Sequence, residues 1–151
     1  MAKKRLLVLG PSFRRKKDEG LLPAFERFDG LFFRVARKYL KSLRDVDVIV
    51  MKDDLTLIGD DTTIAYDPPK GNKWSTQSLS KKVVDDGRKR NQDYLDQKLR
   101  AGRYGEVFIA MGKKYAEALP DFSKFNLKVI FPTSGGPGPK AKALKEWLAE
   151  R

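Results

Sequence analysis

The sequence contains neither cysteine nor histidine, and these two absences remove much of the usual catalytic repertoire. Without cysteine there are no disulfides and no thiolate nucleophiles or metal ligands, a usage that suits a reducing compartment and points to a cytoplasmic protein. Without histidine, imidazole-built zinc sites, Ser-His-Asp triads and Cys-His pairs are excluded outright. A general base would have to be Asp, Glu, Lys or Tyr, and a nucleophile Ser, Thr, Lys or a carboxylate. Long apolar runs are missing too: no stretch approaches the ~20 residues that cross a bilayer, so no membrane partner is expected. The basic opening Met1-Ala2-Lys3-Lys4-Arg5-Leu6 resembles the start of a signal peptide. Its apolar run stops at Gly10-Pro11 and a charged loop follows, which argues against secretion. Asparagine and glutamine are scarce while charge is dense, a pattern common in heat-adapted proteins.

What the chain has in excess is positive charge. Lys and Arg number 32 against 20 Asp and Glu, a formal net charge of +12 on 151 residues. Solubility does not require such an excess of one sign, and self-repulsion destabilises the compact state. Attraction to a polyanion is the simplest compensating role, and nucleic acid is the commonest polyanion a soluble protein meets. A lysine-rich surface without an anionic partner is the plainer alternative. Hydrophobic residues at 40% and charged residues at 34% describe a globular chain, and its length suits one domain over residues 1–151.

Four apolar runs read as strands: Lys4–Gly10, Val46–Met51, Gly105–Met111 and Leu127–Phe131. Helical spacing begins at Leu31 and continues through Phe32, Val35, Tyr39, Leu40 and Leu43, with Arg34, Arg37, Lys38 and Lys41 opposite. A second helix is capped by Ser78 or Ser80 and runs to about Ala101, where Gly102 stops it. Its thin apolar face is Val83, Val84, Tyr94, Leu95 and Leu99, leaving a basic surface for solvent or for a partner subunit in a homo-oligomer. A last helix turns Ala143, Leu144, Trp147 and Leu148 inward. Strands alternating with helices predict an α/β protein: a single-domain, three-layer Rossmann-like fold with a mostly parallel sheet of about four strands.

In such a sheet ligands collect beyond the carboxyl ends of the strands, so the loops after each strand are where chemistry is sought. After the first strand, Ser12, Phe13, Arg14, Arg15, Lys16 and Lys17 concentrate four cations beside an aromatic. Arginine forks onto phosphate and phenylalanine stacks on a base, the combination of single-strand binders; a solvated loop with Phe13 folded inward is the alternative. After the third strand comes Lys113. After the fourth, Ser134, Gly135, Gly136, Pro137, Gly138, Pro139 and Lys140 run into a helix. Glycines there let backbone N–H groups approach an anion, although the segment is neither a Walker A loop nor a dinucleotide fingerprint and its prolines remove donors. A tight turn packed closely is the competing reading. Asp53 and Asp54 follow the second strand; paired acids bind Mg²⁺ or do acid–base work, and more commonly form turns and caps. Tyr66 and Trp74 flank a Pro-Gly loop, where Tyr66 would supply a stacking surface.

Several segments, taken in order, resemble a widespread, poorly characterised family of small prokaryotic α/β domains. They are Phe28-Asp29-Gly30-Leu31-Phe32-Phe33-Arg34, Asp54-Leu55-Thr56-Leu57-Ile58, Tyr66-Asp67, Gly112-Lys113-Lys114-Tyr115, Gly135-Gly136-Pro137-Gly138 and Leu144-Lys145-Glu146-Trp147-Leu148. The resemblance covers nearly the whole chain and implies the fold, a shared site at one end of the sheet, and a link with nucleic-acid maintenance and modification. Gly10-Pro11-Ser12 stands where that family has Cys-Ser-Lys, and Met51-Lys52-Asp53-Asp54 where it has Leu-Ser-Ala-Lys. A chemistry dependent on that thiol is therefore lost here, which shifts the expectation from enzyme toward binding protein.

The resulting expectation is a basic protein that binds single-stranded or unstacked DNA or RNA. Ser12, Arg14, Arg15, Lys16, Lys17, Lys113, Ser134, Gly135, Gly136, Gly138 and Lys140 would hold phosphate, with Phe13 and Tyr66 as stacking surfaces and no metal or cofactor required. The rival is a nucleotide- or nucleobase-modifying enzyme using Asp53 or Asp54, with Mg²⁺ as the conceivable cofactor. A basic scaffold for an acidic protein partner is the third reading.

Overall fold

Leu6-Leu7-Val8-Leu9 has no polar residue to expose, and all four side chains are fully buried. A run with no polar face can satisfy both sides only at the centre of a sheet, and each such side chain contributes ~1.5–3 kcal/mol by leaving water. This is β1 (Lys4–Leu9) of the computed structural model, which describes residues 3–40, 45–68, 80–100, 102–132 and 136–150. On one side β1 pairs in parallel with β3 (Val46–Met51), and on the other with β6 (Tyr104–Ala110). Outside β6 lies β7 (Lys128–Ile130), also parallel, and outside β3 lies β4 (Leu57–Gly59), antiparallel. The five-stranded sheet has the order β4-β3-β1-β6-β7.

The four expected strands are thus the four parallel ones, but the count of about four falls short. The additional β4 sits in the irregular Asp- and Gly-rich stretch after β3, and at three residues it is too short to show a period. A separate two-stranded sheet joins β2 (Leu21–Pro23) to β5 (Thr63–Ala65). It clamps the basic loop after β1 against the segment following β4.

Alternate residues of the strands feed two apolar clusters. Leu7, Leu9, Val48, Val50 and Phe108 share one with Phe33 and Ala36 of α2 (Leu31–Leu40) and with Leu144, Trp147 and Leu148 of α5 (Pro137–Ala149). Leu6, Val8, Ile49, Met51 and Val107 share the other with Val84, Leu95 and Leu99 of α3 (Lys81–Leu99). Two short helices, α1 (Ala24–Arg27) and α4 (Lys113–Ala116), complete the elements among the described residues. Of the two serines the sequence offers, Ser80 caps α3 by accepting from the Val83 N–H at 3.2 Å; Ser78 lies outside the described residues. Val83 itself is 45% exposed and does not join the apolar face the sequence assigned to it. Ala141 takes an inward position in α5, and Ala143 packs less deeply.

No helix among the described residues is long and apolar enough to cross a membrane.

Candidate functional site

The chain leaves β1 toward the cluster that contains α2, because Ala24, Phe28 and Phe33 of that connection are buried there. It leaves β6 toward the opposite cluster, where Ala118, Leu119 and Phe122 are buried. Neighbouring parallel strands whose connections depart to opposite faces open a crevice at their carboxyl ends, the usual ligand position in open α/β sheets. Between β1 and β6 there is such a crevice, of about 380 Å³.

Its walls come from four separate elements. Gly10, Pro11 and Ser12 follow β1; Met111, Gly112 and Tyr115 follow β6; Phe32 and Phe33 open α2; Pro137 and Lys140 open α5. Two glycines let these walls meet. A Cβ on Gly10 would lie 2.4 Å from the Met111 Cβ, and one on Gly30 would lie 2.7 Å from the Ser12 Cβ. Both distances are below any tolerable contact, so these glycines fix how closely the loops after β1 and β6 and the start of α2 converge.

The polar groups here are few. The Ser12 hydroxyl donates to the Arg14 carbonyl at 2.5 Å and accepts from the Gly30 N–H at 3.3 Å, so it holds its loop to α2. The Tyr115 phenol is pushed above its ordinary range by burial first and the Asp53 carboxylate second, with Arg15 pulling the other way. It therefore stays protonated at neutral pH. Lys140 is half-buried against the crevice.

The basic loop divides into structural and available cations. Arg15 was expected to hold phosphate, but its side chain is only 5% exposed. Its two terminal nitrogens fork onto Asp53 at 2.7 and 3.1 Å and reach the Asp67 and Ser12 carbonyls. The guanidinium also lies 5.1 Å from the centre of the Phe28 ring. Arg15 thus ties the loops after β1 and β3 together. Arg14 stays exposed and pairs with Asp29 at 3.4 Å. Asp29 also takes Arg34 and Arg37; burial raises its pKa, but those two arginines outweigh burial and hold it below the ordinary value. Lys16 and Lys17 are exposed, and Phe13 is 42% exposed rather than folded inward.

Asp53, the expected base, is bound by Arg15, and Asp54 forms a turn. Its carboxylate accepts from the Thr56 N–H at 3.0 Å. Burial works to raise its pKa, yet that hydrogen bond with Lys52 and Arg90 nearby lowers it on balance. The pair borders a second cavity of about 280 Å³ with Arg15, Lys52 and Asp67. No cluster of three acidic side chains able to hold a metal occurs among the described residues. Behind this loop, Asn91 of α3 is buried. It donates to the Leu55 carbonyl at 2.7 Å and the Ala118 carbonyl at 2.9 Å, and accepts from the Leu57 N–H at 3.1 Å. One side chain so fixes both the turn after β3, in which Leu55 has φ +70°, and the chain leaving β6.

Lys113 is exposed at the start of α4, beside Lys114. The glycine segment is only partly visible: Ser134 and Gly135, like Trp74, lie outside the described residues. Gly136 caps α5, and Gly138, expected in a loop, belongs to the helix's first turn. With Pro137 and Pro139 lacking N–H groups, that turn offers an anion little besides the Gly138 amide. Tyr66 is half-buried just past β5, away from the crevice walls.

The crevice therefore gathers Ser12, Gly136 and Lys140 from the sequence-derived set and leaves Arg15, Asp53 and Asp54 in a separate structural network. The sequence places Tyr115 on the loop after the third strand, and Gly10 and Gly30 in recognisable segments, but assigns none of the three a role in a site. Glycine directly after a strand and directly before a helix was the available signal. No family model matches the chain, and no curated protein or solved structure is similar to it at a significant level.

Proposed function

We propose that this protein binds single-stranded or unstacked nucleic acid, DNA or RNA, across the carboxyl end of a Rossmann-like sheet. The observation that carries this reading is the set of lysines on the loops there. Lys16, Lys17, Lys113, Lys114 and Lys140 take part in no ion pair among the described residues. Lys16 and Lys17 lie on the loop after β1 with the exposed Phe13 ring, Lys113 and Lys114 open α4 after β6, and Lys140 of the first turn of α5 lines the crevice. Lysines of this kind hold phosphates, and an exposed ring gives a base a stacking surface. The resemblance to the prokaryotic α/β family points the same way. The enzymatic alternative loses support because Asp53 is neutralised by a bidentate arginine and Asp54 is committed to a turn.

The test is fluorescence anisotropy of labelled oligothymidylate and oligouridylate across a salt series. If all five lysines contact phosphate, the log–log slope is about −3.5 for a single strand, at roughly −0.7 per contact. Replacing Lys16 and Lys17 together by Gln reduces its magnitude by about 1.4. A flat salt response, or capture of acidic proteins without nucleic acid, overturns the reading.

A further inference from the structure

We infer that the crevice between the ends of β1 and β6 is a pocket for one nucleotide, which takes an unstacked base between its aromatic walls. The choice of ligand class rests on the proposed function; the pocket itself rests on geometry. Its volume of about 380 Å³ falls at the small end of the ~300–1,000 Å³ typical of small-molecule sites. That size suits a single monomer, not a folded polymer segment.

The lining selects for a flat, largely apolar ligand with a polar rim. Phe32, Met111, Pro11 and Pro137 supply apolar surface from four different directions in the chain. Gly112 and Gly136 carry no side chain, so main-chain N–H groups there are within reach of a ligand's edge, whereas the Gly10 and Gly30 N–H groups are already donated to the Ala110 carbonyl and the Ser12 hydroxyl. Bases are read through hydrogen bonds at their edges and stacking on their faces, and a wall of bare backbone beside aromatic rings offers both. The protonated Tyr115 phenol takes part in no hydrogen bond among the described residues, which leaves it available to a base edge.

Charge defines which end of the nucleotide goes where. Lys140 is the one cation lining this crevice among the described residues, and it stands where the two prolines of α5 have removed helix N–H donors. A phosphate at the mouth therefore meets an ammonium rather than a backbone nest. Lys113 and Lys114 stand beside Gly112 on the β6 side, placed to continue along a strand from which the base has been drawn. A fatty acyl chain would match the apolar wall but would not need the bare backbone and the phenol.

Two positions allow the pocket to be filled without straining the chain. Gly112 has φ −66° and ψ 153°, and a Cβ there meets only Tyr115 Cδ2, at 3.8 Å. A Cβ on Gly136 meets nothing within 4 Å. Gly112→Leu and Gly136→Leu both place a branched side chain at the crevice while leaving Lys16, Lys17, Lys113 and Lys140 in place.

The experiment titrates 5′-AMP and 5′-UMP into the wild-type protein and both variants by calorimetry, with melting curves as a check on folding. The labelled oligonucleotide is titrated in parallel. The expected result is mononucleotide binding to wild type that is about tenfold to hundredfold weaker in each folded variant, the range that losing one stacked base gives. Oligonucleotide binding weakens with it, and its salt slope stays unchanged. Oligonucleotide binding without any mononucleotide binding, or variants that bind both ligands as wild type does, overturn the pocket and leave the proposed function standing. Mononucleotide binding that the variants abolish, without oligonucleotide binding, keeps the pocket and refutes the polymer. If neither ligand binds, both fall. Should Gly112→Leu fail to fold, Gly136→Leu decides alone.

Discussion

Arg27 is the most exacting place to test how the basic loop is built. Its side chain is 1% exposed, and among the described residues no carboxylate pairs with it. Instead its guanidinium donates to backbone carbonyls: Lys16 and Asp18 at 2.9 Å, Gly20 at 2.7 Å, and Ile64 at 3.2 and 3.3 Å. The loop from 16 to 20 is therefore wrapped around a buried cation and tied to β5. In Arg27→Met, the carbonyls of Lys16, Asp18 and Gly20 belong to exposed residues and can rehydrate, whereas Ile64 is half-buried and rehydrates poorly. Hydrogen bonds from a charged donor contribute ~1.5–3 kcal/mol each, and the desolvation cost of the cation, several kcal/mol, disappears with it. The balance is a net loss of about 2–4 kcal/mol. At ~2–4 °C per kcal/mol for a chain of this size, the melting temperature falls by about 4–16 °C. Thermal melting gives the magnitude, and amide hydrogen exchange locates the loss to residues 16–20 and 63–65. Arg27→Lys keeps the charge but not the fork, so it recovers only part of the loss. Oligonucleotide affinity drops in Arg27→Met because Lys16 and Lys17 are no longer held in place, while the salt slope survives because both are still present. A variant that melts with wild type, or whose exchange rises evenly across the molecule, refutes this account of the loop.

Two further outcomes are expected from polar contacts elsewhere. Tyr104 donates to Asp47 at 2.5 Å. Burial raises the pKa of Asp47, but this bond and Lys4 outweigh it and leave the carboxylate below 3.8. That depression gives stability which is present above the ordinary carboxylate value and lost as pH falls through the folded one. Tyr104 is raised by burial and then by Asp47, so its contribution is complete below pH 10.0 and lost as pH climbs past that value. Tyr104→Phe is expected to cost about 1–2 kcal/mol near neutrality. Urea unfolding across pH should then show shallower losses on both the acid and alkaline limbs; unchanged limbs would contradict the coupling. Asp53→Asn removes the partner of a nearly buried arginine and is expected to cost about 1–3 kcal/mol. It should also lower the Tyr115 pKa in an ultraviolet titration, and leave oligonucleotide binding equal or tighter. A variant that melts normally but loses a catalytic turnover would return Asp53 to the role of base.

How much of this was legible beforehand depended on whether a residue's role is set by its own segment or by a distant one. Apolar runs such as Leu6–Leu9 and Phe108–Met111, short and bounded by turn signals, read as buried strands, and the cap of α3 is a local hydrogen bond that narrows the choice to Ser78 or Ser80. The three-residue strands β2 and β4 have no period to read, and exist because of partners elsewhere in the chain, whereas β5 falls within the stretch Asp60–Asp67, whose residue types suggest a short extended piece. Arg14, Arg15, Lys16 and Lys17 look equivalent in sequence. Only the arrival of Asp53 from 38 residues away distinguishes Arg15 as structural. Val83 and Val84 are likewise indistinguishable by type, and the sheet selects one of them. Tyr115 has a legible position after the third strand but no legible role for the same reason, since its significance comes from sharing a crevice with loops that follow β1 and begin α2.

Sorting the cations by their contacts changes what the net charge means. Arg15 of the loop after β1, Arg27 of α1 and Arg37 of α2 are spent on carboxylates and carbonyls of their own chain, where a rigid fork can hold several acceptors at once. Among the lysines at the carboxyl end of the sheet, Lys52 pairs with Asp54 at 3.7 Å, whereas Lys16, Lys17, Lys113, Lys114 and Lys140 take part in no ion pair among the described residues. An ammonium on a flexible stem contacts phosphate as a point charge and reads no base edge, whereas bidentate guanidinium is the usual reader of guanine. Apart from the exposed Arg14, which pairs with Asp29, the available cations of the basic loop are lysines, and such a surface binds backbone in a salt-dependent, sequence-tolerant way, so that base preference comes chiefly from the crevice. It follows that filling the crevice should flatten differences among homopolymers while leaving electrostatic attraction intact, and that removing lysines should weaken all sequences equally.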